Sequence, residues 1–341
     1  MLLASIVTVW TVSTSLAATA LAAPITVTDD SGATVTLPAP AHRVISLAPH
    51  TTELIYAAGG ANAIVGAVNY SDYPPAARAL PRVGDNKALD LEKIAALKPD
   101  LLVVWRHGNV QRQIGVLQAL GIPMFLSEPK QLPDIADNLR KLGALMGTEP
   151  VANRAANDFT ARIDQLRAQY ANRPTVSVFY QVWDNPIMTL SGGHMVSDVI
   201  RLCGGRNVFA SLAPVAPTVS TEAVIAANPD VIMTGRYGDE SGKSTKSDKN
   251  TADATNDASH THDAASAGVM SADSNTKRND DANTLPKSLD RWKAWPQIPA
   301  IAHDNLFAVN ADWMDRPAPR IADGAAQMCA DLDVARAHLG K

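Results

Sequence analysis

Only two cysteines, Cys203 and Cys329, occur in 341 residues, and aromatic residues make up just 5% of the chain. A zinc site normally takes three or four ligands, and no Cys or His sits at ligand spacing beside either cysteine, so a metal centre built on them is disfavoured. No run of Lys and Arg occurs, and the formal net charge of -4 offers no footprint for a phosphate backbone. Nucleic acid is therefore not an expected partner. G-x-S-x-G, H-E-x-x-H and suitably framed carboxylate pairs are also missing, and Ser191-Gly192-Gly193-His194 is a glycine-containing turn rather than a nucleophile elbow. A secreted hydrolase is thus a remote reading, and no enzyme is expected.

What is present begins with an apolar stretch rich in small residues, from Leu2 to Leu21, ending in the cleavage pattern Ala20-Leu21-Ala22. It reads as a secretory signal over residues 1–23, cut near Ala22 and Ala23. Its Thr and Ser content and its lack of a basic stop-transfer flank argue against a membrane anchor. No Cys lies near the cut, which argues against a lipoprotein. In an exported chain, an even cysteine count favours a Cys203–Cys329 disulfide over two free thiols.

An internal repeat organises the rest. LEKIAALKPDLLVV, from Leu91 to Val104, matches TEAVIAANPDVIMT, from Thr221 to Thr234, with Glu92 on Glu222 and Pro99-Asp100 on Pro229-Asp230. Each copy predicts a short helix, a Pro-Asp break and an apolar strand. ELIYAAGGAN, starting at Glu53, similarly matches DVIRLCGGRN, starting at Asp198, each a helix stopped by two glycines. Two matches in one order predict two related, pseudo-symmetric α/β lobes, at residues 24–148 and 173–341.

Between them, Val151, Ala155, Phe159, Ile163, Leu166 and Tyr170 recur at spacings of three and four, predicting one long amphipathic helix over 149–172 that joins the lobes. Residues 239–290 are rich in Ser, Asp, Thr, Asn and Lys, with Val269, Met270, Leu285 and Leu289 their only large aliphatic residues. That composition predicts a disordered insertion in the second lobe. His260 and His262 within it could collect a metal ion, though two histidines in a solvated loop are more often inert.

In open α/β lobes, the carboxyl ends of parallel strands line the ligand crevice. The apolar run Leu101–Val104 exits into Trp105-Arg106-His107-Gly108-Asn109, which supplies an aromatic face, a fixed positive charge and an imidazole to a large heteroaromatic ligand. Tyr70 and Tyr73, in NYSDYPP, and Trp313, in DWMDRP, add aromatics at two further turns.

RVISLAPHTTELIYAAGG, NYSDYPP, LEKIAALKPDLLVVWRHGN, RLCGGRNVF and DWMDRPAPRI together resemble the periplasmic cobalamin-binding proteins. These belong to the class III substrate-binding proteins of ABC importers, which serve cobalamin, haem and siderophores. The likeness covers nearly the whole mature chain outside the insertion. It implies two Rossmann-like α/β lobes joined by a single long helix, in a periplasmic monomer with cobalamin as transported ligand and no catalytic cofactor. By the same resemblance, Tyr70, Trp105, Met188, Trp313 and Arg316 border the corrinoid; the strand-end reading adds Arg106 and His107 to the expected ligand contacts. Glu92 and Glu222, one on each lobe, dock on arginines of an inner-membrane permease dimer. It also implies the Cys203–Cys329 disulfide.

Two departures stand out: Asn86 and Ala216 occupy positions where that family places aromatics. His107 replaces a glycine of the motif; set against the resemblance, its imidazole is a candidate to approach the axial face and cobalt of a bound corrinoid, the plainer alternative being a hydrogen-bonding or solvated side chain. The nearest alternative is a haem or ferric-siderophore binder of the same fold, kept open by Tyr70, Tyr73, His50, His107 and His194. No arginine cluster is visible in the sequence, which disfavours anionic siderophores.

Overall fold

The computed structural model describes residues 23–236 and 285–341. All but the last residue of the expected signal segment, nearly all of the expected insertion and His260 and His262 lie outside the described residues.

A hairpin of β1 (Ile25–Thr28) and β2 (Thr34–Leu37) leads into the first lobe. There β3 (Val44–Ser46), α1 (Pro49–Ala57), β4 (Ile64–Ala67), α2 (Leu91–Ala96), β5 (Leu101–Trp105), α3 (Gln111–Ala119), β6 (Met124–Ser127) and α4 (Leu132–Met146) follow in turn. Its four strands are parallel in the order β4-β3-β5-β6. Next comes α5 (Glu149–Tyr170), the long helix between the lobes.

The second lobe contains β7 (Val176–Asp184), β8 (Ile187–Thr189), α6 (Met195–Leu202), β9 (Gly205–Asn207), α7 (Thr221–Ala227) and β10 (Val231–Arg236), then α8 (Pro299–Ala302), β11 (Leu306–Asn310), α9 (Ala311–Met314) and α10 (Ile321–His338). Here β9, β7, β10 and β11 form a parallel sheet, and β8 adds an antiparallel hairpin partner at the far end of β7. The two parallel sheets therefore share one connectivity, with β3, β4, β5 and β6 answering to β7, β9, β10 and β11.

The repeat recurs in detail. Asp90 caps α2 by accepting from the Lys93 N–H, and Ser220 caps α7 by accepting from the Ala223 N–H. Ile94 and Val224 are both fully buried. Each helix is followed by a residue in the left-handed region, Lys98 at φ 46° and Asn228 at φ 47°. The paired glycines also act as expected: Gly59 and Gly204 follow α1 and α6 at φ 90° and 72°.

Buried strands with alternating faces divide the packing into layers. Val44, Leu101 and Val103 point into a core shared with α1, α4 and α5, which continues through Val178, Tyr180 and Met233 of the second sheet. Ile45, Leu102 and Val104 face a separate outer core of the first lobe, and Phe179, Ile232 and Leu306 face that of the second. On α5 the buried stripe is Ala152, Ala156, Phe159, Ile163 and Tyr170. Val151, expected to face inward, is 52% exposed and its side chain lies over Gly59.

The expected limit of the insertion needs correction. Leu285 packs against the outer core of the second lobe, and Leu289 lies within it beside the fully buried Trp292. Residues 285–290 thus belong to the lobe. Their polar composition conceals two anchors whose partners come from distant strands. The Cys203–Cys329 disulfide is present and ties the end of α6 to α10, across a separation of 126 residues.

Candidate functional site

The carboxyl ends of the two sheets meet across a line of charged and aromatic side chains. On the first lobe β3 runs through Ser46 into α1, where the Ser46 hydroxyl lies 2.7 Å from those of both Thr51 and Thr52. This fixes the first turn of α1 and with it His50 and Glu53. The end of β5 is closed by Asn109, whose carboxamide oxygen accepts from the Trp105 N–H at 2.9 Å while its amide donates to the Leu47 carbonyl at 2.8 Å.

Gly108 explains how the indole of Trp105 is seated. A Cβ at that position would stand 1.7 Å from Trp105 Cε3, so the ring occupies space that only glycine leaves free. Beneath it, the His50 ring packs edge-on, with centroids 5.6 Å apart and planes at 86°. His50 is buried with no partner for Nε2. Burial, reinforced by the charge of Arg316, lowers its pKa to about 3, so the imidazole is neutral.

The second lobe reaches across through the segment after β11. Arg316 sits 2.9 Å from Asp72 and 3.4 Å from Glu53 of the first lobe, and 2.9 Å from Asp312 of its own. Arg320 makes a fork on Glu53, with Nε at 2.9 Å and Nη2 at 2.6 Å, and its guanidinium lies 3.9 Å from the centroid of the Tyr73 ring. Burial pushes the Glu53 carboxyl upward against the pull of Arg320 and Arg316. Burial also works against the charge of Arg316, but Asp312, Asp72 and Glu53 outweigh it and raise its pKa.

The sequence-derived residues are not all brought together. Arg316 belongs to this cross-lobe cluster, and Trp105, half-buried, stands at the strand end beside it through His50. Tyr70 is 63% exposed at φ 64°, two residues before Asp72, while Trp313 is half-buried and its N–H is accepted by Asn310. Met188 is half-buried in the β7–β8 hairpin opposite Trp183. Arg106 and His107 are exposed, and His107 Nδ1 lies 3.2 Å from Glu128 of its own lobe. Asn86 and Ala216 are half-buried, the latter against the shared core. Glu92 and Glu222 are exposed in the first turns of α2 and α7, away from the cross-lobe cluster.

Sequence reasoning missed Glu53, Asp72 and Arg320 as members of the site. It also took the chain to lack an arginine cluster, yet Arg316 and Arg320 converge. The i, i+4 spacing of the two arginines was the available signal. Three carboxylates surround them, so the cluster does not present a bare cationic face to an anionic ligand.

Comparison with known proteins agrees with this architecture. The family model described as "Periplasmic binding protein" matches residues 44–312. A vitamin B12-binding protein of Vibrio cholerae serotype O1 is 37% identical over 300 residues, covering 88% of this chain and 92% of the relative. Among solved structures, the periplasmic vitamin B12 binding protein BtuF of Vibrio cholerae superimposes with a TM-score of 0.68 at 35% identity, covering 87% of this chain and 98% of that one. The periplasmic heme-binding protein RhuT from Roseiflexus sp. RS-1 shares the fold at a TM-score of 0.64 and 20% identity, covering 86% and 99%. With the family model spanning both sheets and the long helix between them, and a relative 37% identical over most of the chain, the chain belongs to the periplasmic binding protein family.

Proposed function

We propose that this protein captures cobalamin or a related corrinoid between its lobes and delivers it to an ABC importer of the inner membrane. It acts as a periplasmic monomer and turns nothing over. The observation that carries this reading is the near-full-length similarity to vitamin B12-binding relatives, combined with aromatic strand ends at the lobe boundary. Trp105, Tyr70 and Trp313 offer flat apolar surface to the macrocycle, with Met188 as an adaptable contact. Arg316, Arg106 and His107 offer donors to the amide side chains that rim a corrin. Haem-binding neighbours at 20% identity support only the fold, which ranks haem below cobalamin.

Delivery rests on Glu92 and Glu222. They occupy equivalent positions on the two lobes, both exposed and both in the first turn of a capped helix. Hydrogen bonds from its own backbone and from Ser220 hold the Glu222 carboxyl below the usual range, keeping it ionised. Paired acids on a pseudo-symmetric surface suit paired cations on a permease dimer.

Isothermal titration with cyanocobalamin, haemin and a ferric hydroxamate tests the ligand. Tight one-to-one binding of cyanocobalamin is expected. Binding of haemin without cyanocobalamin would overturn the assignment.

A further inference from the structure

The cross-lobe cluster is unequal in its bonding. Glu53, only 3% exposed, receives two well-formed bonds from Arg320 but a single 3.4 Å approach from Arg316. The short contacts of Arg316 go instead to Asp72 and Asp312, at 2.9 Å each. Arg320 is additionally held from the other side by the face of Tyr73. One arginine is thus fixed from two directions by the first lobe, while the other hangs mainly on two carboxylates at the edge of the cluster, one of them on the half-exposed Asp72.

Position in the fold sharpens the contrast. Glu53 lies on α1 and Arg320 immediately precedes α10, and both helices pack on α5. Arg162 of α5 also pairs with Asp323 of α10 at 2.6 Å. The Glu53–Arg320 contact therefore spans the lobes close to the helix that joins them, where a small change in hinge angle is least able to pull it apart.

We propose that Glu53 is a positioning residue for the ligand site: through Arg320 it clasps the lobes at the floor of the cleft and so sets their spacing. Arg316 is then presented at the ligand's level as the exchangeable arm, able to leave Asp72 for an acceptor on the ligand. The second part rests on the cleft being the corrinoid site; the clasp itself does not.

Electron paramagnetic distance measurement on the unliganded, disulfide-intact protein separates the two. Spin labels at Leu120→Cys, exposed just past the end of α3, and Ala226→Cys, exposed on α7, report the distance between lobes. The parent should give one narrow distribution. Glu53→Gln removes the negative charge and replaces one of the two acceptor oxygens that Arg320 uses with a donor, and should broaden the distribution and lower cyanocobalamin affinity about tenfold. Arg320→Lys should keep the distance narrow, whereas Arg162→Gln, which removes the more exposed pair between α5 and α10, should change neither reading. If Glu53→Gln does not fold, Arg320→Gln is read in its place. An unshifted, narrow distance in the folded Glu53 or Arg320 glutamine variant would overturn the clasp. A broadened distance in a protein whose parent ignores cyanocobalamin would uphold the clasp and overturn only the ligand.

Discussion

Asp100 and Asp230 perform the same task in the two lobes: each carboxylate turns back from a Pro-Asp break to accept backbone N–H at or just before the first strand of its parallel sheet. Asp100 takes those of His42 and Arg43 at 2.8 and 2.9 Å, and Asp230 takes that of Ser177 at 2.8 Å together with its hydroxyl at 3.0 Å. Each break thus locks the entering strand beside the central one. Removing an acceptor that leaves buried donors unpaired costs about 1–3 kcal/mol. Asp230→Ala should therefore lower unfolding free energy in urea by that order, with ligand affinity unchanged.

The same residue gives an acid signature. Burial works against ionising Asp230, but the Ser177 and Lys341 bonds outweigh it and hold the carboxyl below its ordinary value of 3.8. A depressed folded pKa means the stabilisation is complete above pH 3.8 and is lost as pH falls below it. In the Asp230→Asn variant, this part of the acid destabilisation should disappear.

Two histidines act in a higher window. Burial lowers His50 to about 3 and His194 to about 4, against 6.5 for a free imidazole. Between those values the unfolded chain binds the extra protons, so stability should rise with pH up to about 6.5 and fall toward pH 4. His194 adds a specific loss, because its Nδ1 accepts the Val196 N–H at the start of α6 and cannot do so once protonated. His194→Asn, which keeps a capping acceptor, should flatten the slope of unfolding free energy between pH 6 and 4.

Gly108 should be the most sensitive glycine at the lobe boundary. Even a methyl group there displaces the Trp105 indole, at an overpacking cost of about 1–3 kcal/mol. Gly108→Ala is expected to shift tryptophan fluorescence and weaken cyanocobalamin binding, while Gly115→Ala, where a Cβ meets nothing, leaves both unchanged.

Charge reversal at Glu92 and Glu222 together should abolish cobalamin uptake by the reconstituted importer and leave the affinity of the isolated protein unchanged. Normal uptake by the double variant would remove the docking role.

Much of this was legible in the sequence because it is local or repeated. The repeat that sets Glu92 on Glu222 and Pro99-Asp100 on Pro229-Asp230 foretells a helix, a break and a strand in each lobe, and the fold reproduces all three, adding left-handed residues at Lys98 and Asn228. The disulfide followed from the cysteine count and compartment. The cross-lobe cluster was not legible, because Glu53 and Arg320 are 267 positions apart and nothing local marks them as partners. Val151 was misplaced for a different reason. Both it and Ala152 fit a helical stripe, and the close approach of α5 to α4, where Ala152 fills the space over Gly143, chooses the smaller residue for burial.

The placing of the disulfide has a consequence for the order in which a growing chain can complete its two halves. Both of its cysteines lie in the second lobe, and the later one sits on α10, which also covers part of α5. A chain emerging N-terminus first can finish the first sheet and its helices with no covalent step. The second half must wait for residues 321–338 before its crosslink and its last wall exist together. Two lobes built on one plan thus differ in timing: the first is ready early, and the second is sealed only by the last helix to arrive.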